Sequence, residues 1–165
     1  MTTVTGDTLP PLLMARLGAG RSARRVAPGK GCTEEFEFTA VPICTIDPDG
    51  LPHPAMLSYG EITADDVRSM RAEVYSASST ARHLREQGKL ALLFVDAEGT
   101  YYVKAIVIGG GTQHPTTPGT TVFTLGVVAV LADAVDTSRE PDAVITSGIR
   151  FTRTNPQRPA PGNSP

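Results

Sequence analysis

The chain has 165 residues, enough for one domain with a real core. A formal net charge of −2, no tryptophan and only 5% aromatics give no drive toward nucleic acid or a membrane surface, and no stacking platform for single strands. No apolar run reaches the roughly 18 residues of a spanning helix, no basic-then-apolar leader opens the chain, and Cys32 and Cys44 belong to no CxxC or Cys/His cluster, so the expectation is a reducing cytoplasm without a metal.

Residues 1–35 are expected to be an N-terminal basic arm, partly flexible. Within it "PPLLMARL" predicts about two helical turns with proline at the start. "GAGRSARRVAPGKG" offers nothing to bury. Arg16, Arg21, Arg24, Arg25 and Lys30 have one acidic partner upstream, Asp7, so the segment is either a solvated linker or a polybasic contact for a phosphate or partner.

Residues 36–153 carry the periodic segments. "AVPICTI" (40–46) is an extended apolar run in which Cys44 reads as a small buried hydrophobe. "DPDG" (47–50) is a turn, with Pro48 presetting φ and Gly50 accepting left-handed geometry. "LPHPAMLSYGEI" resumes as a strand and closes a hairpin, its prolines keeping the start at an edge. On it His53, Ala55, Leu57 and Tyr59 share one face; Pro54, Met56, Ser58 and Gly60 share the other. Asp65 and Asp66 mark a turn. "RSMRAEVYSA" is a third strand. "KLALLFVDA" (89–97) reads as a strand buried on both sides, turned by "EGT" into "YYVKAIVI" (101–108). "GGGTQHPTTPG" reads as a flexible loop; its glycines lack the Lys-Ser/Thr of a P-loop. "TTVFTLGVVAVLADAV" is a long alternating strand. "SREPDAVITSGI" predicts a short helix capped by Ser138. Residues 154–165, rich in proline, predict a disordered tail. Six strands arriving in runs, not alternating with helices, suit an antiparallel barrel with helices at its mouth or edge.

Between the third and fourth strands lies "YSASSTARHLR" (75–85), four small residues with three hydroxyls leading into an arginine-bearing helix. One of Ser78, Ser79 and Thr80 suffices as a cap. The surplus hydroxyls, the helix N-terminus and Arg82 in the first turn also describe an anion seat. Capping alone and capping with anion binding both remain open on these residues.

"VPICTIDPDGLPHPAMLSY" followed by "VYSASSTARHLREQGKLALLFVDAEGTYYVKA" resembles the FMN-binding split barrels related to pyridoxamine 5′-phosphate oxidase, over residues 40 to about 108. The resemblance implies a mainly β (α+β) fold, a six-stranded antiparallel split β-barrel with short flanking helices. It implies a homodimer with FMN at the interface. Met56, Leu57, Ser58 and Tyr59 become ring-side candidates, and Ser76, Ser78, Ser79, Thr80 and Arg82 phosphate-side candidates. It implies a flavin-dependent oxidoreductase acting on a small-molecule substrate, with no nucleic acid and no membrane as partner. Three departures stand out. Ser79 and Thr80 occupy the positions of the oxidase's Arg-Lys pair, the C-terminal tryptophan- and arginine-bearing signature is missing, and Ala105 replaces a glycine. Vitamin B6 oxidation is therefore rejected. A deazaflavin-dependent reductase of the same fold, with the basic arm taking the longer anionic tail, and a non-catalytic small-molecule-binding or interaction barrel remain alternatives.

No residue is assigned firmly to chemistry. His53, beside the expected groove, and Tyr59 are the candidate catalytic groups. His83 is expected on an exposed helix face and His114 in a mobile loop, so the three histidines suggest no metal cluster. No Ser-His-Asp order stands out.

Overall fold

The structure, a computed structural model, describes residues 2–18, 23–26, 35–97, 99–134, 138–139 and 141–153. Arg21, Lys30, Cys32 and the expected tail at 154–165 lie outside the described residues.

The strands are β1 (Thr2–Gly6), β2 (Ala23–Val26), β3 (Glu35–Ile46), β4 (Pro52–Ser58), β5 (Ile62–Asp66), β6 (Ser69–Tyr75), β7 (Lys89–Asp96), β8 (Gly99–Gln113), β9 (Thr120–Asp133) and β10 (Arg150–Arg153). Two helices, α1 (Pro11–Gly18) and α2 (Ser79–Glu86), and a 3₁₀ turn at Tyr59–Glu61 complete the described elements. All strand pairs are antiparallel. The barrel wall runs β4-β3-β7-β8-β9-β6-β5. Its first and last strands are consecutive in sequence and joined by the 3₁₀ turn, so the wall is split there. This is the mainly β split-barrel architecture that the sequence implied, with four more strands than the six expected.

Alternation fills the barrel. Val41, Ile43 and Thr45 of β3, Leu90, Leu92 and Phe94 of β7, Val103 and Ala105 of β8, and Phe123 and Leu125 of β9 are buried on one side. The other face of β7, with Ala91, Leu93 and Val95, is half-buried, so this strand is not covered on both sides.

Four expectations are corrected. First, residues 2–18 belong to the packed body. β1 pairs with the end of β9, and Leu13 and Leu17 bury one face of α1, with Leu9, two residues before the helix, continuing the spacing of four. Arg16 forms a partly buried ion pair with Asp96 at the end of β7, and Asp7 pairs with Arg68, so neither is part of a free basic arm. Second, β8 continues through the three glycines to Gln113, its register shifting twice beside them. Gly110 (φ +86°) lies so close to β9 that a Cβ would sit 2.6 Å from the Val122 carbonyl oxygen and 2.9 Å from Phe123 Cα. Gly110 thus serves a close approach as well as a left-handed φ. Third, Asp65 and Asp66 end β5, and the turn falls on Val67 and Arg68. Asp66 receives the Arg68 amide and the Ser69 hydroxyl, which hold its pKa below the usual carboxylate value. Fourth, residues 143–149 are not helical. They carry no regular secondary structure and lead into β10, which pairs with the first half of β3 and stacks Phe151 on Phe38 at 5.3 Å. Gly148 passes against the Val95 carbonyl, with no room for a side chain.

Candidate functional site

β6 ends at Tyr75 and the chain turns through Ser76–Ser78 into α2, which closes one end of the barrel against β3, β6 and β8. The hydroxyls here are not equivalent. Ser78 is the N-cap: its Oγ accepts the Ala81 amide at 3.1 Å and donates to the Tyr75 carbonyl at 2.7 Å. Ser76 Oγ lies 2.7 Å from Thr121 Oγ1, and its amide donates to the Gly119 carbonyl. Thr80 is buried under the helix. Ser79 is exposed at the first helical position, where backbone amides still lack intrahelical acceptors. Arg82 is exposed, and its guanidinium meets no protein partner among the described residues.

The residue that organises this turn is Arg85. Its guanidinium donates to Thr121 Oγ1 at 3.1 Å and to the Ser76 carbonyl at 3.5 Å, and it lies 5.8 Å from the Phe123 ring. It thereby ties the last turn of α2 to the end of β6 and the start of β9. The sequence held one signal for it: in "STARHLR" a second arginine follows Arg82 by three residues. The β8–β9 hairpin abuts the same turn and is fixed by His114. Its Nδ1 accepts the Thr116 and Thr117 amides, and its Nε2 faces Glu73 at 3.5 Å. His114 therefore holds a defined loop.

The ring-side candidates separate by face. Met56 is exposed on the outer face of β4, opposite Pro42. Leu57 points into the core. Ser58 is buried, and its amide and hydroxyl both donate to the Glu61 carboxylate, at 2.8 and 2.9 Å. Tyr59 stands in the 3₁₀ turn with its ring 5.6 Å from Phe94 in the core. Burial raises its pKa, the nearby Arg16 cation working in the opposite direction. Tyr59 thus packs inside the barrel and does not open onto the outer face with Met56. It keeps the face that alternation gave it, shared with Leu57 and opposite Met56.

The histidines hold the largest surprise. His83 is 2% exposed, not on the solvent face of α2. The buried positions Thr80, Ala81, His83 and Leu84 form one helical stripe, and His83 falls on it. Its Nδ1 lies 3.2 Å from Thr45 Oγ1, itself fully buried on β3. The ring of His53, half-buried on β4, meets it at 4.8 Å between centroids and 89° between planes. No cluster of three ligating side chains occurs among the described residues. No helix among the described residues is long and apolar enough to cross a membrane.

No family model matches the sequence, and no curated protein matches it. Solved structures do match by fold. A candidate pyridoxamine 5′-phosphate oxidase from Lactobacillus delbrueckii is similar at TM-score 0.54 and 16% identity, over 79% of this chain and 98% of that one. The flavin reductase of the styrene monooxygenase from Pseudomonas putida S12 is similar at TM-score 0.50 and 10% identity, over 61% of this chain and 83% of that one. By its fold, this chain is a split barrel with structural neighbours among pyridoxamine 5′-phosphate oxidase-like and flavin reductase proteins.

Proposed function

We propose that the protein binds FMN through the turn at 76–82 and works as a flavin-dependent oxidoreductase on a small molecule. The observation that carries this reading is the division of labour in that turn. Ser76, Ser78 and Arg85 are engaged within the fold, and Ser78 takes the Ala81 amide, whereas Ser79 and Arg82 are left exposed at the start of the helix. That set suits the phosphate of the cofactor: amide and hydroxyl donors, the positive end of a helix, and one cation. Bound flavin would supply the hydride chemistry, and the chain would supply binding and orientation.

Self-association fits the same reading. Met56, Ile106, Ile108 and Val128 stand exposed on the outer faces of β4, β8 and β9, with Pro42 and Leu93 half-buried on strands between them. An apolar face of this kind favours a partner, and a second copy of the chain would cover it. The reading places the homodimer in the reducing cytoplasm, where the thiol of Cys44 stays free.

The deazaflavin alternative asks for a basic groove from the N-terminal arm, and the pairing of Arg16 with Asp96 takes one cation from it. The deciding experiment is FMN titration followed by quenching of flavin fluorescence, with light scattering for mass. Saturable micromolar binding to a dimer supports the proposal. Absence of FMN binding refutes it, and uptake of a deazaflavin instead moves the assignment to that cofactor. A robust dimer that takes up neither leaves the binding or interaction barrel.

A further inference from the structure

Thr45, His83 and His53 join three elements at the α2 end of the barrel, and their hydrogen bonding has one self-consistent form. Thr45 Oγ1 is 3.2 Å from His83 Nδ1 and 3.4 Å from the His53 carbonyl oxygen. A hydroxyl has one proton, and a carbonyl only accepts. Both contacts are hydrogen bonds only when His83 carries its proton on Nδ1, donates it to Thr45 Oγ1, and Thr45 donates onward to the His53 carbonyl. With the proton on Nε2, Thr45 has to give its single proton to Nδ1, and the contact with the carbonyl is lost. In a site where Thr45 is fully buried and His83 nearly so, the fully bonded arrangement is favoured.

We propose that Thr45 and His83 are positioning residues for His53, and that His53 is the group through which this end of the barrel contacts its ligand. His83 sets the plane of the His53 ring through the crossed-ring contact, while the chain from α2 through β3 holds the β4 backbone at that point. His53 is the member of the three that reaches solvent. A neutral imidazole held in one orientation offers a directed N–H or lone pair to a polar ring edge, such as a heteroaromatic carbonyl. The ligand-facing half of this inference rests on the cofactor reading above; the positioning half does not.

The test begins without flavin. In the full-length, ¹⁵N-labelled protein at about pH 8.5, above the ordinary imidazole range, long-range proton–nitrogen correlation reports which ring nitrogen is protonated. His83 is expected as the Nδ1–H form, opposite to the preference of free imidazole side chains. His114, whose Nδ1 accepts two amides, is the internal Nε2–H reference. Thr45→Val is expected to return His83 to Nε2–H and to move the His53 ring resonances, and Thr45→Ser to preserve both. A wild-type His83 in the Nε2–H form, or His53 resonances unmoved in Thr45→Val, overturns the positioning role. The wild-type measurement decides this even where a variant fails to fold. FMN titration then tests the second half. His53→Ala is expected to weaken binding about fivefold to tenfold. Equal affinity overturns the assignment of His53. A wild type that binds no FMN refutes the cofactor reading and the ligand-facing half with it, while the tautomer result stands by itself.

Discussion

Replacing Gly110 with alanine tests whether that glycine is set by crowding. Gly110 and Gly119 flank the same hairpin with similar dihedrals, φ +86° and +75°. An alanine at either site adopts the left-handed region, at a cost of about 1 kcal/mol. At Gly119 nothing lies within 4 Å of the added Cβ. At Gly110 the Cβ falls 2.6 Å from the Val122 oxygen, 2.9 Å from Phe123 Cα and 3.0 Å from the Thr124 amide nitrogen. All three atoms are backbone of β9, which is held there by β8 on one side and β6 on the other, so the strand cannot step aside cheaply. Overpacking of this kind adds roughly 1–3 kcal/mol. The expected totals are about 1 kcal/mol for Gly119→Ala and about 2–4 kcal/mol for Gly110→Ala. At roughly 2–4 °C per kcal/mol for a chain of this length, thermal unfolding followed by circular dichroism should fall by about 2–4 °C and about 5–15 °C. Equal shifts in the two variants would refute the crowding argument and leave only the dihedral cost.

Further outcomes follow from the turn and the sheet edge. Arg85→Gln is expected to lower stability by about 1 kcal/mol, through its charged hydrogen bond and its contact with Phe123. Arg82→Gln should leave the melting temperature alone and weaken FMN; the reverse pattern contradicts the assigned roles. Ser78→Ala removes the cap and should cost about 0.5–2 kcal/mol in chemical denaturation, whereas Ser79→Ala should act on FMN affinity instead. The Tyr102 hydroxyl donates to Asp133 at 2.9 Å, holding that carboxyl below its ordinary 3.8 and raising the phenol above 10.0. The carboxylate's contribution to stability is present above the ordinary carboxylate range and lost as pH falls through its depressed folded-state value. The phenol's contribution is present below pH 10.0 and lost as pH rises past its raised value. Tyr102→Phe should bring the Asp133 titration, followed by NMR, back toward 3.8 and make the variant less sensitive to acid than the wild type. An unmoved titration would mean that other contacts hold the carboxylate.

The local hairpins were legible because their turn chemistry sits inside short sequence windows. "DPDG" between two apolar runs gives β3 and β4, and "EGT" gives β7 and β8. The eight-residue α1 was legible from its leading proline and apolar spacing. Elements whose only support is a distant partner were not. β1 is "TTVTG", exposed at every position and held by the far end of β9, and β10 exists by pairing with β3. At the site, Ser78 as the cap followed from residue type. The burial of His83 did not, because polarity was weighed over its place on the Thr80–Leu84 stripe. Alternation put Tyr59 on the Leu57 face, where it lies in the core; its grouping with Met56 came from the resemblance. Asp96, the partner of Arg16, lies about half the chain away, and no local pattern joins them.

The position of α2 in the chain bears on how the barrel forms. The hairpins β3–β4, β5–β6, β7–β8 and β8–β9 close over short loops. The remaining wall contacts, Ile43 with Leu92 and Met70 with Leu125, join residues far apart in sequence. Both long closures span the segment that holds α2, between β6 and β7. Drawing the helix into place shortens the path for each, so a chain with α2 loosened should fold more slowly even where its native state is only slightly weakened. Residues that tie α2 to both halves of the wall, Arg85 to β6 and β9 and His83 to β3, are where such a delay would originate.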